Sequence, residues 1–301
     1  MNWKGGKRMH SFLRAIGFSD LKKELQIDSL IQMVIENPDH TNVYEDSSEN
    51  NIVEFRKEFA YHCGISVCGE YLDDDEFRME YFYPYFQGDS ISTEEDIEIE
   101  KHSDKNSFAG VCDDIRLGIT LIFYLQNAQD FMKNSIYKIG NINRAPVILS
   151  ALSIEGKIIF PVLRDKEYKK NHIERLKHRN YLISAAKDGD EDAIENLTLE
   201  DIDAYSAISK RMQEEDVLSI VESSIMPYGI ESDQYAVIGE ILNIKSIENC
   251  LTKEESYILT IDAKDIVFDV CILKSDLLGE PEIGRRFKGN IWMQGYMDFD
   301  N

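Results

Sequence analysis

Positive charge is scarce in this chain, proline is sparse, and no apolar run is long. Against 56 aspartates and glutamates stand 33 lysines and arginines, a formal net charge of −23 over 301 residues. Binding to nucleic acid or anionic lipid needs a cationic surface that displaces counterions, so this balance argues against both. Apolar stretches such as Ile119 to Leu125 fall far short of the roughly 20 residues a membrane helix requires, and no membrane partner is expected. Six prolines and 17 glycines are too few for a collagen-like or low-complexity chain. Five cysteines, an odd and small number, do not suit a disulfide-stapled secreted domain and fit a reducing compartment. Lys4, Lys7 and Arg8 precede a stretch broken by Arg14, Asp20 and Lys22, which rules out the apolar core of a signal peptide. The expected location is cytoplasmic. Lys-Gly-Gly-Lys at 4–7 reads as an in-frame ribosome-binding sequence, which makes Met9 the expected natural start.

What remains is a globular composition, 43% hydrophobic and 30% charged. Leu21, Leu25, Leu30, Ile31 and Val34 recur near helical spacing, with Ser19 placed to cap and Asn37-Pro38 to terminate. Strand signals follow at Val53 to Tyr61, at 65–71 and 77–86 around a charged turn, and at 96–100 and 119–125. Residues 147–153 and 157–162 flank Glu155-Gly156 and predict another hairpin. Between 164 and 187 eight basic side chains face three acidic ones; between 188 and 222 twelve acidic face two basic. Neighbouring segments of opposite sign predict helices with complementary faces, and Thr198-Leu-Glu-Asp201 has the form of a capping box. Segments 217–221, 235–244, 256–262, 265–273 and 288–299 read as the five strands of a small barrel of OB or SH3-like type. The predicted class is therefore α+β. A mainly antiparallel-sheet domain with helices spans 9–163, a helical connector 164–215 and an all-β barrel-like domain 216–301.

Several constellations invite a chemical reading, and each has a structural one beside it. His62, Cys63 and Cys68 lack the two-to-four-residue spacing of zinc cysteines and read as ordinary buried thiols, so no metal is assigned. Asp188, Asp190 and Asp192 match the opening of a calcium loop, but Ala193 and Leu199 break it, leaving helix initiation. Tyr81 to Phe86 reads as a strand buried between layers, or else as a stacking platform. Glu98, Glu100, His102 and Asp104 precede Cys112-Asp113-Asp114 and Arg116; brought together, Glu100, His102, Asp113 and Asp114 would perform acid–base work or hold a cation. Arg285-Arg286-Phe-Lys288 is a basic knot in an acidic protein, suited to an oxyanion or to the chain's own carboxylates. The basic run at Lys177-His178-Arg179 carries the same ambiguity. Glycine-rich phosphate loops, dinucleotide fingerprints, serine elbows and zinc-protease helices do not occur.

Met9-His-Ser-Phe-Leu-Arg-Ala-Ile-Gly-Phe18 resembles the opening of an uncharacterised clostridial (Firmicutes) family known as a domain of unknown function. The resemblance continues through Gly110–Asp114, Ile122–Asn127, Leu199–Asp203, Met226–Ile230 and Gly284–Gly289, so it runs the full length from Met9. It implies a clostridial, cytoplasmic origin and carries no activity, cofactor or catalytic residue with it. The residues themselves favour a non-enzymatic binding or scaffolding protein. It would engage a protein or a small anionic ligand through the C-terminal barrel at Arg285, Arg286 and Lys288, without a cofactor. The alternative is a metal-assisted or acid–base hydrolase at Glu100, His102, Asp113 and Asp114. A nucleic-acid binder using only the basic helix ranks last.

Overall fold

The computed structural model describes residues 9–21, 24–45, 51–71, 77–101, 107–114, 116–117, 119–131, 145–161, 178–179, 181–182, 184–186, 189–211 and 221–298. The fold is mostly β, a closed five-strand barrel joined to an antiparallel sheet, with few helices.

The antiparallel sheet has the order β1 (His40–Glu45), β2 (Asn51–Ala60), β3 (Cys63–Tyr71), β4 (Phe77–Phe86). β3 and β4 form the predicted hairpin, with Tyr71 opposite Phe77. Residues 81–86 are all buried, and Pro84 is tolerated because β4 is an edge strand with a free N–H side. Helix α1 (Glu24–Glu36) buries Leu30, Ile31 and Val34, close to the predicted stripe. Ser19 does not cap it; its backbone N–H and hydroxyl both donate to the Glu254 carboxylate and tie the N-terminal segment to the turn at 249–254.

The second sheet adds β5 (Ile97–Lys101), β6 (Phe108–Cys112) and β7 (Leu121–Leu125), which lead onto the barrel through β7. The barrel strands are β8 (Val147–Ile159), β10 (Gln234–Glu248), β11 (Glu255–Ala263), β12 (Ile266–Leu273) and β14 (Arg286–Met297). They pair in the order β10–β11–β12–β8–β14, and β14 closes on β10. All pairs are antiparallel except β12 with β8. Short strands β9 (Ser224–Pro227) and β13 (Leu277–Leu278) lie against β10 and β8. Inward residues such as Leu259, Ile261, Phe268, Val270, Phe287 and Met293 form the core.

The structure differs here from the expected hairpin at Glu155-Gly156. Residues 147–159 are one strand that crosses from β12 to β14 with a bulge before Glu155. Gly156 makes no turn. A Cβ there would lie 2.5 Å from Phe287 Cε2, so glycine is what admits the Phe287 ring to the barrel. The expected strand 217–221 lies mostly outside the described residues, and its place in the barrel is taken by β8. β8 falls within the segment 9–163, whereas its partners β12 and β14 fall within 216–301.

Helix α2 (Glu191–Arg211) occupies the acidic half of the middle segment. Its start is capped by Asp190, whose Oδ1 accepts from the backbone N–H groups of Asp192 and Ala193 at 3.0 and 3.2 Å. Thr198 is therefore mid-helix and not a cap; its hydroxyl donates to the Ile194 carbonyl at 2.8 Å. His178 and Arg179, on the basic side, each approach Glu200 to 3.8 Å.

One outer face of the barrel is covered. The 3₁₀ segment Met9–Ile16 lies across β12, with Ala15 O accepting from Ser256 Oγ at 2.9 Å and from Cys271 Sγ at 3.3 Å. Phe12 packs on Trp292, and Cys63 of the antiparallel sheet meets Cys271 at 3.8 Å.

Candidate functional site

The acid–histidine cluster predicted from sequence is spread along the β5–β6 hairpin. Glu100 is exposed opposite Ala109, whereas Asp113 and Asp114 follow the other end, where Cys112 faces Ile97. His102 lies outside the described residues. Asp113 is exposed and accepts from Thr120 Oγ1 at 2.6 Å. Asp114 is buried: Oδ1 accepts from the Arg116 backbone N–H at 3.0 Å and Nε at 2.8 Å, and Oδ2 from Thr93 at 3.0 Å and from Arg116 Nη2. Burial pushes the Asp114 carboxyl up, but the Arg116 hydrogen bonds outweigh it and hold the group below its ordinary range. With two acceptor bonds on each oxygen, Asp114 anchors a loop and has no direction left for a substrate or ion. Among the described residues no three His, Cys, Asp or Glu side chains gather as a metal set. Of the calcium-loop residues, Asp190 caps α2 and Asp188 lies outside the described residues.

The basic knot is divided by what its members touch. Arg285 precedes β14 and pairs with Glu282 at 2.6 Å. Arg286 is buried, and its guanidinium donates to the carbonyls of Phe160 and Val221, stitching the ends of two segments to the barrel. Phe287 turns inward. Lys288 turns outward and lines a groove of about 380 Å³ on the outer wall of the barrel.

Register builds this groove. Lys288 on β14 stands opposite Lys157 on β8, and on its other side opposite Ile238 on β10, which faces Ser224 on β9. Beyond Lys157 lies Leu278 of β13. One cross-strand row therefore reads Leu278, Lys157, Lys288, Ile238, Ser224. A parallel row reads Glu155, Asn290, Ala236, Met226, with Asn290 Nδ2 donating to Glu155. Like charges directly opposite on one face repel, and among the described residues neither lysine has a carboxylate within ion-pair distance. Ser224 is 9% exposed, lines the same groove, and its hydroxyl has no hydrogen-bond partner among the described residues.

A second polar cluster lies between the antiparallel sheet and the end of β7. Buried Glu54 accepts from Ser66 Oγ at 2.5 Å, Tyr83 Oη at 3.1 Å and Gln129 Nε2 at 3.0 Å, with Arg56 Nε 3.6 Å away. Arg56 sits 4.3 Å from the Tyr85 ring centre. Burial works against the Arg56 charge, but the Glu54 carboxylate overrides it and the pKa is raised. Burial and the same carboxylate push the Tyr83 hydroxyl up. The adjoining cavity is about 20 Å³, room for one water and no substrate. This cluster therefore holds the two sheets together. Sequence reasoning passed over it because Glu54 and Arg56 alternate with Val53 and Phe55, the usual mark of a solvent-facing strand edge.

Fold and groove together define a mostly-β protein built on a closed barrel, with a lysine couple on its outer wall that has no carboxylate partner among the described residues. The chain belongs to the family described as "Domain of unknown function, E. rectale Gene description (DUF3881)", whose model matches residues 13–295. That span takes in nearly all of the resemblance read from the sequence. No curated protein matches the chain, and no solved structure does. Among the described residues no helix is long and apolar enough to cross a membrane.

Proposed function

We propose that this is a binding protein that holds a small anionic ligand in the groove across β8, β14, β10 and β9. Lys157 and Lys288 supply the charge. The observation that carries this reading is the pair itself: two lysines opposed in register, without carboxylate partners among the described residues, in a chain with a net charge of −23. A bound anion would relieve their mutual repulsion. Of the three basic residues singled out in the sequence, Lys288 fits the role; Arg285 and Arg286 already have partners within the fold.

Strand order supports an OB-type barrel entered at a different point in the chain. Counting β10, β11, β12, β14 and β8 as first to fifth, the first strand pairs with the second and fourth, and the third runs parallel to the fifth. OB barrels bind ligands over their second and third strands, here β11 and β12. The segment Met9–Ile16 lies across that region, which favours the neighbouring lysine-lined wall as the place for a ligand. We read the protein as cytoplasmic and clostridial; five free cysteines and the family's naming after E. rectale support this.

Equilibrium dialysis against inorganic phosphate, acetate and octanoate tests the function. At least one anion should be retained by the wild type and released by a Lys157→Ala, Lys288→Ala double variant that keeps its thermal midpoint. Retention of none, or retention indifferent to the lysines, refutes the reading.

A further inference from the structure

The flanks of the groove say more about the ligand than its charge does, and the inference rests on the anion-binding reading above. On either side of the lysine couple the row is apolar, with Ile238 on the floor and Leu278 at one rim. Met226 follows Ser224 on the same face of β9 and forms the other rim. Met226 and Leu278 are 56% and 71% exposed, large apolar side chains left in water at both edges of one concavity. Neighbouring strands lie about 4.8 Å apart, so the floor runs roughly 10 Å from Lys288 to Ser224. An inorganic anion would occupy the space between the ammonium groups and leave this length uncovered.

The head group can be narrowed too. Phosphate is usually gripped by arginine forks or the N-terminus of a helix, and neither is among the residues lining this groove. Lysines offer point charges on flexible apolar stems, which cover a hydrocarbon body while the ammonium reaches the head. The volume of about 380 Å³ sits at the small end of ligand sites.

We propose that the groove takes an amphipathic carboxylate of medium length. Its head lies between Lys157 and Lys288, and its aliphatic body lies over Ile238 towards Met226. The unpartnered Ser224 hydroxyl at the far end is placed to donate to a polar substituent on that body.

Calorimetric titration of the full chain with acetate, octanoate, octanol and inorganic phosphate tests this. Octanoate should bind at least about tenfold more tightly than acetate, from the burial of its methylenes. It should also bind more tightly than octanol. A Met226→Ser, Leu278→Ser variant, altered only at exposed positions, should lose most of the gain over acetate. A Lys157→Ala, Lys288→Ala variant should lose the preference over octanol. If phosphate binds as tightly as octanoate and only through the lysines, the amphipathic assignment falls while anion binding stands. If octanol matches octanoate and the lysine variant changes nothing, the anion-binding reading itself falls. Binding of none of the four overturns both.

Discussion

Glu54 takes hydrogen bonds from Asn42, Ser66, Tyr83 and Gln129 and stands 3.6 Å from Arg56, so truncating it leaves a buried guanidinium without its counter-charge. Glu54→Ala is expected to destabilise by about 3–5 kcal/mol, as removal of one partner from a buried pair does. Urea unfolding followed by tryptophan fluorescence measures this, and a loss under about 1 kcal/mol would mean that solvent reaches Arg56. Nothing in the sequence distinguishes this carboxylate from its surface neighbours, because burial of a strand's polar face depends on what packs there. Lys288 was legible, as a basic residue in an acidic chain. Lys157 was not, since only the pairing of β8 with β14 brings it opposite Lys288. Half of the proposed charge couple could thus be read from composition, and the other half needed the register.

Gly156 and Gly289 lie on neighbouring barrel strands, and a Cβ on either would come within 2.5 Å of the Phe287 ring. Gly289→Ala, whose Cβ would also lie 2.7 Å from the Glu155 carbonyl, should cost about 1–3 kcal/mol by overpacking. A lowered thermal midpoint, with the far-ultraviolet spectrum unchanged, is the expected result; an unchanged midpoint would show that the ring moves aside freely. This closeness explains why β8 was misread. Glu-Gly between two apolar runs is a sound turn signal locally, but β8 is held by two long-range partners and the glycine serves side-chain packing. Where local chemistry and local pairing agree, reading succeeded, as for β3 and β4, β11 and β12. The capping box at Thr198 failed for a similar reason: Asp190 offers an earlier cap, and the helix runs through the threonine.

At the scale of the whole chain, alternation located β10, β11, β12 and β14 but named 217–221 as the fifth strand, whereas β8, distant in sequence, closes the barrel. Because β8 fills it, residues 216–301 contain only four of the five barrel strands. Expressed alone, that fragment should show poorly dispersed amide resonances, and adding a peptide of residues 145–161 should restore dispersion. A well-dispersed spectrum from 216–301 by itself would refute the dependence.

The crossing of β8 between β12 and β14 also has a meaning in time. A ribosome adding roughly 5–20 residues each second needs on the order of ten to thirty seconds to go from the end of β8 to the end of β14. Until β12 is made both hydrogen-bonding edges of β8 lack their strands, and until β14 is made one of them still does. An apolar strand with an open edge is a template for pairing with other chains, so the order of synthesis leaves β8 open to such pairing for seconds.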